Sequence, residues 1–533
     1  MCRISVKEAE SHAKHRKQQA CPFAGLGILI RVGFDVSGSP KPKSSFNSAS
    51  GCDQRRLAAA HGKLMPAALI IGTGPAGLFC AQALASAHWP GSVTVIERGT
   101  RFDERFLSRT DWEFDPDAVL CGEGGAGFLA DAKLCLSSDA GNQFEDDLAA
   151  QYPRALQDID FHVYQHLLDL GHEIRRAEPN RHQLHVVRRR LSDLALELDT
   201  YPVRPLGSDM AAAFLRRFVG NLQNRGVAFV YNTEAKTIAY DRAARVYRVT
   251  APTCGTQMEY ECTHLFLAVG WAGSAWLRET GSSLGLEFTA NNLDIGVRLE
   301  FPTFGGHQLK EAGDNPKIKF YDGHSYSKTH CLVHAGRAFS FNFLDHHFLV
   351  DAHAVRRQPT RASSVNFLYR IRPEHIKDPL QVFRAVSASA REYGQNRPLV
   401  MALTDFLEDE ALPSSDSSFE PTMHAAVECD LSLVLPGRVA NTIREHIRQL
   451  ARFAPGIATR EAVIYAPAAQ WVMPRVKLGR NFIGPDAQNL YCIGDCTGLT
   501  AGVLPAAVSG VVAARDAVAR LTGDLQLPLW SFP

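Results

Sequence analysis

Hydrophobic and polar positions divide this chain into stretches with different patterns. From residue 67, apolar runs such as "AALIIG", "SVTVIERG" and "THLFLAVG" are separated by the helical stretches "AGLFCAQALASA" and "FLRRFVGNLQNRG". This alternation is typical of parallel strands buried beneath helices. Between about residues 285 and 480, "NLDIGVRLEFP", "KIKFYD" and "AFSFNFLDH" alternate like strands of a more open sheet, and "ANTIREHIRQLARFA" predicts an amphipathic helix. The last stretch, "NLYCIGDCTGLTAGVLPAAVSGVVAARDAVARL", predicts a strand, a glycine turn and a long helix.

Residues 1–64 show neither pattern. "ESHAKHRKQQ" is polar and basic, and "SGSPKPKSSFNSASG" is rich in Ser, Pro, Gly and Lys, so this segment is expected to be disordered or a non-native extension. It lacks the apolar core and cleavage site of a secretory signal. A transit peptide remains open, although the amphipathic pattern is poor. We favour Met65 as the true start, because the folded pattern begins at Pro66.

Composition narrows the class of protein. The 533 residues are 45% hydrophobic and 21% charged, as in an ordinary globular protein. No run of about 20 apolar residues predicts a membrane span, and a net charge of +1 argues against charge-driven binding to nucleic acid. The twelve cysteines lack regular spacing, which favours reduced thiols in a cytoplasmic protein. Cys492 and Cys496 alone make a poor zinc site, so no metal is predicted.

The last residue of "AALIIG" and two glycines after it have the G-x-G-x-x-G spacing of a dinucleotide-binding turn. The first allows a tight turn, the second lets a pyrophosphate approach the backbone, and the third lets the helix pack on the strand. Glu97 ends the next strand, where a carboxylate can accept hydrogen bonds from ribose hydroxyls. An ordinary strand–helix–strand unit is the structural alternative. The residues assigned to this site are Gly72, Gly74, Pro75, Ala76, Gly77, Glu97 and Arg98.

A second glycine-rich segment, the glycine loop, lies at residues 121–134 and reads "CGEGGAGFLADAKL". Its four glycines suit a backbone pressed against a planar ring or a phosphate, but the spacing is not that of a Walker A loop. A mobile loop is the alternative interpretation.

Several of these segments together resemble a known family. "GEGGAGFLADAKL" is similar to G-E-G-G-A-G-T-F-S-D-G-K-L, and "RPLGSDMAAAFL", "LFLAVGWAGSAWL", "DIGVRLEFP" and "IGDCTG" match further motifs of the uncharacterised FAD-dependent dehydrogenases of the glutathione-reductase superfamily. The resemblance covers roughly residues 66–525. It departs at Ala130, Ala132 and Pro205, where the family has Ser, Gly and His, and in "APAAQWVMPRV", so the substrate is expected to differ.

The resemblance implies an α/β fold: a Rossmann-like, three-layer FAD-binding domain from residues 65–284 and 481–533, with an inserted mixed-sheet α+β substrate domain at residues 285–480. In such proteins the Asp after the last strand, here Asp495, bonds the ribityl or pyrophosphate region, and the next helix start faces the flavin O2 edge. The further cofactor-binding residues expected are Gly124, Gly125, Gly494, Asp495, Ala501, Gly502 and Val503.

The function expected is FAD-dependent oxidoreduction, with hydride passing between a small organic substrate and flavin N5. NAD(P)H remains open as a transient donor, since no second G-x-G-x-x-G is present. Cys80 stands alone near the first turn, which excludes the redox pair of disulfide reductases. A flavin monooxygenase using NAD(P)H and O2, and a redox-inert FAD-fold binding or escort protein, are the alternatives. The sequence does not predict the oligomeric state.

Lys133, after the glycine loop, is the best candidate for a catalytic residue, because a cation there could stabilise a reduced flavin; an ion pair with Asp131 is the alternative. Arg298 and Glu300 share a strand face and are expected either to bind a substrate carboxylate or to pair with each other. A general acid or base among the clustered histidines stays open without being favoured, and a metal site among them is disfavoured more strongly. These histidines are His324, His330, His334, His346 and His347.

Overall fold

The computed structural model describes residues 66–144, 146–253, 256–343, 347–414, 418–485 and 488–524. All of them belong to one compact unit, Leu64–Pro533. The predictions for residues 1–64, for Met65 and for His346 lie outside the described residues. The α-helices are α1 (Pro75–Ser86), α2 (Gly125–Leu129), α3 (Asp146–Leu168), α4 (Arg181–Ser192), α5 (Ser208–Asn224), α6 (Ser274–Gly281), α7 (Gly306–Glu311), α8 (Pro379–Gly394), α9 (Leu403–Leu407), α10 (Gly437–Phe453) and α11 (Val503–Thr522).

The strands alternate with these helices along the chain. The first twelve are β1 (Ala68–Ile71), β2 (Val93–Ile96), β3 (Phe106–Ser108), β4 (Glu113–Phe114), β5 (Lys133–Cys135), β6 (Leu196–Asp199), β7 (Val203–Pro205), β8 (Ala228–Val230), β9 (Thr237–Asp241), β10 (Val246–Thr253), β11 (Thr256–Cys262) and β12 (His264–Leu267). The others are β13 (Glu287–Thr289), β14 (Leu293–Pro302), β15 (Lys317–Tyr321), β16 (Tyr326–Val333), β17 (Arg337–Phe343), β18 (His347–His353), β19 (Ala362–Ile371), β20 (Leu399–Ala402), β21 (Val427–Glu428), β22 (Val463–Gln470), β23 (Arg475–Lys477) and β24 (Leu490–Cys492).

A five-stranded parallel sheet, in the order β24-β12-β1-β2-β8, forms the middle of three layers. Side chains alternate between its faces, so Ile70 packs into a core with helices α1, α5 and α11, while Leu69 and Ile71 pack against the opposite layer. That layer is the antiparallel sheet β9-β10-β11, which contributes Ile238 and Val249. The predicted three-layer α/β arrangement is therefore confirmed.

Close packing of α1 on α11 joins the beginning of the chain's fold to its end. A Cβ on Gly510 would lie 2.1 Å from the carbonyl oxygen of Ala76, and a Cβ on Gly494 would lie 2.8 Å from the Cβ of Ala76. Cys80 is fully buried on α1. The first residues of α1 thus lie beside the turn after β24, some 420 residues away in sequence.

An eight-stranded mixed sheet, in the order β21-β20-β22-β14-β19-β16-β15-β6, forms the second part of the fold. Its pairs are antiparallel except β20 with β21. The amphipathic helix α10 buries Ile443, Ile447 and Leu450 against it. The mixed sheet predicted from residue 285 onwards is present, but its edge strand β6 comes from before residue 285, because β6 pairs with β15. A separate hairpin, β17 with β18, covers one face.

Within the described residues, no helix combines the length and the apolar character required to cross a membrane.

Candidate cofactor and substrate site

The glycine turn after β1 contains two glycines that steric contact requires and one that faces open space. Gly72 has a φ of +111°, and a Cβ there would lie 2.3 Å from the carbonyl oxygen of Ala268. A Cβ on Gly77 would lie 2.0 Å from the carbonyl oxygen of Gly72, which explains how closely α1 packs on the strand. Gly74 is different, because the nearest atom to its Cβ position is the Cα of Gly125 at 4.0 Å. Only the second glycine therefore has room in front of it.

The glycine loop packs directly against this turn. The N–H of Gly124 donates to the carbonyl oxygen of Thr73 at 3.0 Å. Gly125 has a φ of +59°, and its Cβ position lies only 2.9 Å from the Cα of Gly74. Helix α2 begins at this glycine. The two glycine-rich segments, which are separate in sequence, therefore form one surface of main-chain atoms.

Glu97 holds three segments of this surface together. One carboxylate oxygen accepts hydrogen bonds from the N–H and the hydroxyl of Thr73, at 2.9 and 2.6 Å. The other accepts from the N–H groups of Gly99 and Gly122, at 2.8 and 2.9 Å. A carboxylate has about four lone-pair sites, so the chain itself supplies a donor for each of them. Arg98, the next residue, is half-exposed and lies 3.8 Å from a carboxylate oxygen of Glu234.

Arg105 is a site residue that the sequence did not predict. Its guanidinium is fully buried and donates five hydrogen bonds of 2.6–3.0 Å to the carbonyl oxygens of Ala118, Val119, Glu123 and Gly125. Burial lowers its pKa to about 10, so it stays charged near neutral pH. The planar fork of an arginine fits such a set of acceptors. Arg105 therefore fixes the path of the chain into the glycine loop.

The turn after β24 brings Asp495 to the same place. Its carboxylate accepts from the Thr500 hydroxyl at 2.7 Å and from the N–H of Gly502 at 3.3 Å, and burial raises its pKa to about 7. Gly502, with a φ of +117° and open space at its Cβ position, immediately precedes α11. The N–H of Ala501 donates to Gly141. A second helix N-terminus therefore joins the glycine surface.

These elements line one cavity of about 360 Å³. The predicted residues on its wall are Gly72, Gly74, Pro75, Ala76, Glu97, Arg98, Gly125, Lys133, Gly494, Asp495, Ala501, Gly502 and Val503. Gly77 and Gly124 lie behind the wall, where they serve close packing; a Cβ on Gly124 would lie 2.4 Å from Leu215. Because the N-termini of α1 and α11 both contribute to the wall, their free N–H groups and dipoles favour an anion there.

Lys133 lies on the cavity wall and forms an ion pair. Its Nζ lies 2.6 Å from Oδ2 of Asp131 and also donates to the carbonyl oxygen of Leu332. Burial lowers the pKa of Lys133, but the Asp131 carboxylate together with Cys331 and Cys135 outweighs burial, and the net shift is upward. Asp131 and Ala132 have φ values of +65° and +45°, so Ala132 keeps a left-handed backbone where the resembling family has glycine. The ion pair with Asp131, the alternative interpretation of Lys133, is present, and a catalytic role for Lys133 stays a prediction.

The mixed sheet and its hairpin form the opposite wall. His330 and Cys331 come from β16, and Phe339 and Phe341 come from β17. Of the predicted histidines, His330 is the one that lines the cavity. His324 is exposed, His334 contacts the Ser363 hydroxyl at 3.2 Å, and His347 is buried away from the wall. Within the described ranges, no group of three or more His, Cys, Asp or Glu is placed to hold a metal.

The expected pairing of Arg298 with Glu300 is wrong. The fully buried Arg298 pairs with Asp351 at 2.8 Å and donates to the side chains of Ser364 and Asn366 and to the carbonyl oxygen of Cys331. Glu300 accepts instead from the Tyr465 hydroxyl at 2.7 Å and from the N–H and hydroxyl of Thr422. Both charged side chains thus have partners from neighbouring segments, and their spacing along one strand cannot reveal these partners.

Comparison with known proteins adds a distant likeness to flavoproteins. No protein-family model and no curated protein matches the chain. It is similar to a solved flavoprotein/dehydrogenase from Cytophaga hutchinsonii, with 11% identity over 86% of this chain and 79% of that chain and a TM-score of 0.38. It is also similar to glycine oxidase from Geobacillus kaustophilus, with 11% identity over 85% of this chain and 95% of that chain and a TM-score of 0.38. A third similar structure is aklavinone-11 hydroxylase in complex with FAD and aklavinone, with 12% identity over 87% of this chain and a TM-score of 0.37. The match covers 64% of that chain, so this chain spans less than two thirds of it.

Proposed function

We propose that this chain is an FAD-dependent oxidoreductase that transfers a hydride between a small organic substrate and N5 of the bound flavin. One observation carries the proposal: the N-termini of α1 and α11 and the glycine loop meet on one side of a single cavity. A dinucleotide carries a pyrophosphate and a ring system at separate positions. This surface offers N–H donors to the pyrophosphate and backbone without side chains to the ring system.

The pyrophosphate position fits the residues present. Open space in front of Gly74 leaves the first N–H groups of α1 accessible to an anion, whereas any side chain at residue 74 would occupy that space. Glu97 faces the cavity where the adenosine ribose is expected, but its oxygens already accept four hydrogen bonds. We therefore assign Glu97 the role of shaping the cradle beside the ribose, and not that of accepting hydrogen bonds from the ribose hydroxyls.

The ring position is assigned to the space between Gly125, Asp495 and the α11 N-terminus. When bound, the flavin supplies the hydride chemistry. The chain supplies position and field: the Gly502 end of α11 favours negative charge at the ring edge, and Lys133 adds a cation to the lining of the cavity. Trp271, Phe339 and Phe341 give the cavity an apolar cover that excludes water from a small substrate.

Purification and anaerobic reduction test the proposal. The protein should carry FAD, absorb near about 450 nm as flavins do, and bleach when a substrate from a panel of alcohols, amines, hydroxy acids or NAD(P)H donates hydride. Protein that neither retains FAD nor takes up added FAD would contradict it. Bound FAD that dithionite cannot reduce would indicate a redox-inert binding protein, and substrate hydroxylation coupled to O2 uptake would indicate a monooxygenase.

A further inference from the structure

A lysine–histidine pair lies on the mixed-sheet wall of the cavity. Nζ of Lys317 on β15 lies 2.8 Å from Nδ1 of His330 on β16. His330 lines the cavity, whereas Lys317 lies behind it. His330 is half-buried, and among the described residues the hydrogen bond to its ring is the one at Nδ1, with none at Nε2. One ring nitrogen is therefore held by the lysine, and the other is left to a molecule in the cavity.

An irregularity in β16 aims His330 at the cavity. The pairing of β16 with β19 shifts register between His330 and Val333, and Cys331 has a φ of +54°. In a regular strand, consecutive side chains point to opposite faces. Here His330 and Cys331 both line the cavity, as a β-bulge allows. Bulges are common beside active sites because they redirect a side chain.

The charges around the pair describe what the cavity accepts. The other lysine and arginine side chains that line the cavity have carboxylate partners, Asp131 for Lys133 and Glu234 for Arg98, and the buried Arg298 pairs with Asp351. Within the described part of the chain, no carboxylate lies at ion-pair distance from Lys317, whose Nζ contacts His330 and, at 3.5 Å, the side-chain oxygen of Asn315. The wall thus offers no spare cation for a substrate carboxylate, and its Phe339 and Phe341 side suits an apolar molecule.

We propose that His330 is a catalytic base that accepts the hydroxyl proton of a neutral, apolar alcohol, and that Lys317 is the positioning residue that receives the proton of Nδ1. This inference rests on the proposed function. Oxidation of the alcohol to a carbonyl removes a hydride from carbon, which passes to the flavin, and a proton from oxygen. The O–H bond breaks as an N–H bond forms at Nε2, while the Nδ1 proton moves to the neutral Lys317 amine and leaves an ammonium.

The protonation of Lys317 decides which way the pair faces. Burial lowers its pKa to about 7, and burial also holds the pKa of His330 well below its usual value. Below this pH, the Lys317 ammonium donates to Nδ1, so Nε2 carries the hydrogen. Above it, Nδ1–H donates to the amine, so Nε2 has a free lone pair and acts as a base. The ionisable groups facing the pair are Lys133 and Cys135 from β5, Lys328 and Cys331 from β16, and Arg298 from β14.

Carbethoxylation with diethyl pyrocarbonate, read by peptide mass spectrometry, tests the pair without using flavin chemistry. The reagent attacks a ring nitrogen with a free lone pair. We expect labelling of His330 in the purified holoprotein to rise about tenfold between pH 6 and 8, following the Lys317 amine. Lys317→Met should remove most of this rise. Lys319→Met is the control on the same strand, β15; it loses ion pairs with Glu197 and Asp199 of β6 and should keep the rise. Exposed His324 reports the reagent's own dependence on pH.

Flavin reduction tests the base. With the best neutral alcohol of the panel, His330→Asn should lower the rate constant of flavin reduction by about a hundredfold or more, whereas His334→Asn should leave it unchanged. Lys317→Met should shift the pH profile of reduction. The inference is overturned by reduction within about threefold of wild type in His330→Asn, by equal labelling profiles in wild type and Lys317→Met, or by carboxylate-bearing donors that outpace neutral alcohols. A pair that titrates as expected in a protein whose flavin no donor reduces would overturn the proposed function instead.

Discussion

The two walls of the cavity are built in different ways. The cofactor wall consists of main chain around Gly74, Gly125 and Gly502, with open space at the Cβ positions of Gly74 and Gly502. The substrate wall consists of side chains on strands, among them His330 and Phe341. Main-chain donors suit a ligand that is always the same, whereas side chains can be exchanged without refolding the sheet. Under the proposed function, this difference keeps recognition of the cofactor separate from choice of the substrate.

Replacing Arg105 should have the largest effect, and that effect should concern the cofactor wall alone. Arg105→Met leaves four buried carbonyl groups without their charged donor, each worth about 1–3 kcal/mol. We expect the free energy of unfolding to fall by about 3–5 kcal/mol, measured by urea titration, and FAD content to fall with it. Arg105→Lys keeps the charge but loses the fork, so it should fall between wild type and Arg105→Met. A loss below about 1 kcal/mol in Arg105→Met would show that the loop does not depend on this side chain.

Gly77→Ala should have the next largest effect, because it tests whether the cofactor wall tolerates a single added carbon. The new Cβ would meet the carbonyl oxygen of Gly72 at 2.0 Å, and overlap with backbone costs about 3 kcal/mol. Gly220→Ala on α5 is the matched control, because nothing lies within 4 Å of its Cβ position; it should raise stability by up to about 1 kcal/mol. Thermal unfolding compares the two. Equal melting temperatures would contradict the close contact.

Asp495 gives a smaller effect that depends on pH. Because burial raises its pKa to about 7, the folded protein keeps a proton that the unfolded chain has lost above about pH 4. The free energy of unfolding therefore falls as pH rises towards 7 and then levels off. In protein stripped of flavin, we expect the stability of wild type relative to Asp495→Asn to fall by about 2 kcal/mol between pH 5 and 8. Parallel pH profiles for the two proteins would be inconsistent with a buried, protonated carboxyl.

The cofactor wall was largely predictable because its signals are local. The apolar strand, the spacing of Gly72, Gly74 and Gly77, and the glycine turn before α11 each occupy a few consecutive residues, and the structure brings all three together. Arg105, by contrast, has no local signal in the sequence. That residue lies in an ordinary polar stretch, and its role exists only because four carbonyl groups from residues 118–125 turn towards it.

The substrate wall was much less predictable because its contacts are non-local. The sequence leaves a general acid or base open among five histidines without favouring one, and no pattern in it points to Lys317. His330 is selected by a bulge at Cys331, and no residue type there announces it. Arg298 finds Asp351 across a hairpin rather than Glu300 along its strand, and β6 joins the mixed sheet from outside the expected segment.

Titration of FAD into flavin-free protein, followed by quenching of flavin fluorescence, tests the separation of the two walls most directly. Gly74→Ala places a methyl group in the space assigned to the pyrophosphate without touching the protein. We expect it to weaken FAD binding by at least about thirtyfold, or 2 kcal/mol, with an unchanged melting temperature, while His330→Asn stays within about threefold of wild type. Wild-type affinity in Gly74→Ala, or a loss in His330→Asn as large as in Gly74→Ala, would contradict the account.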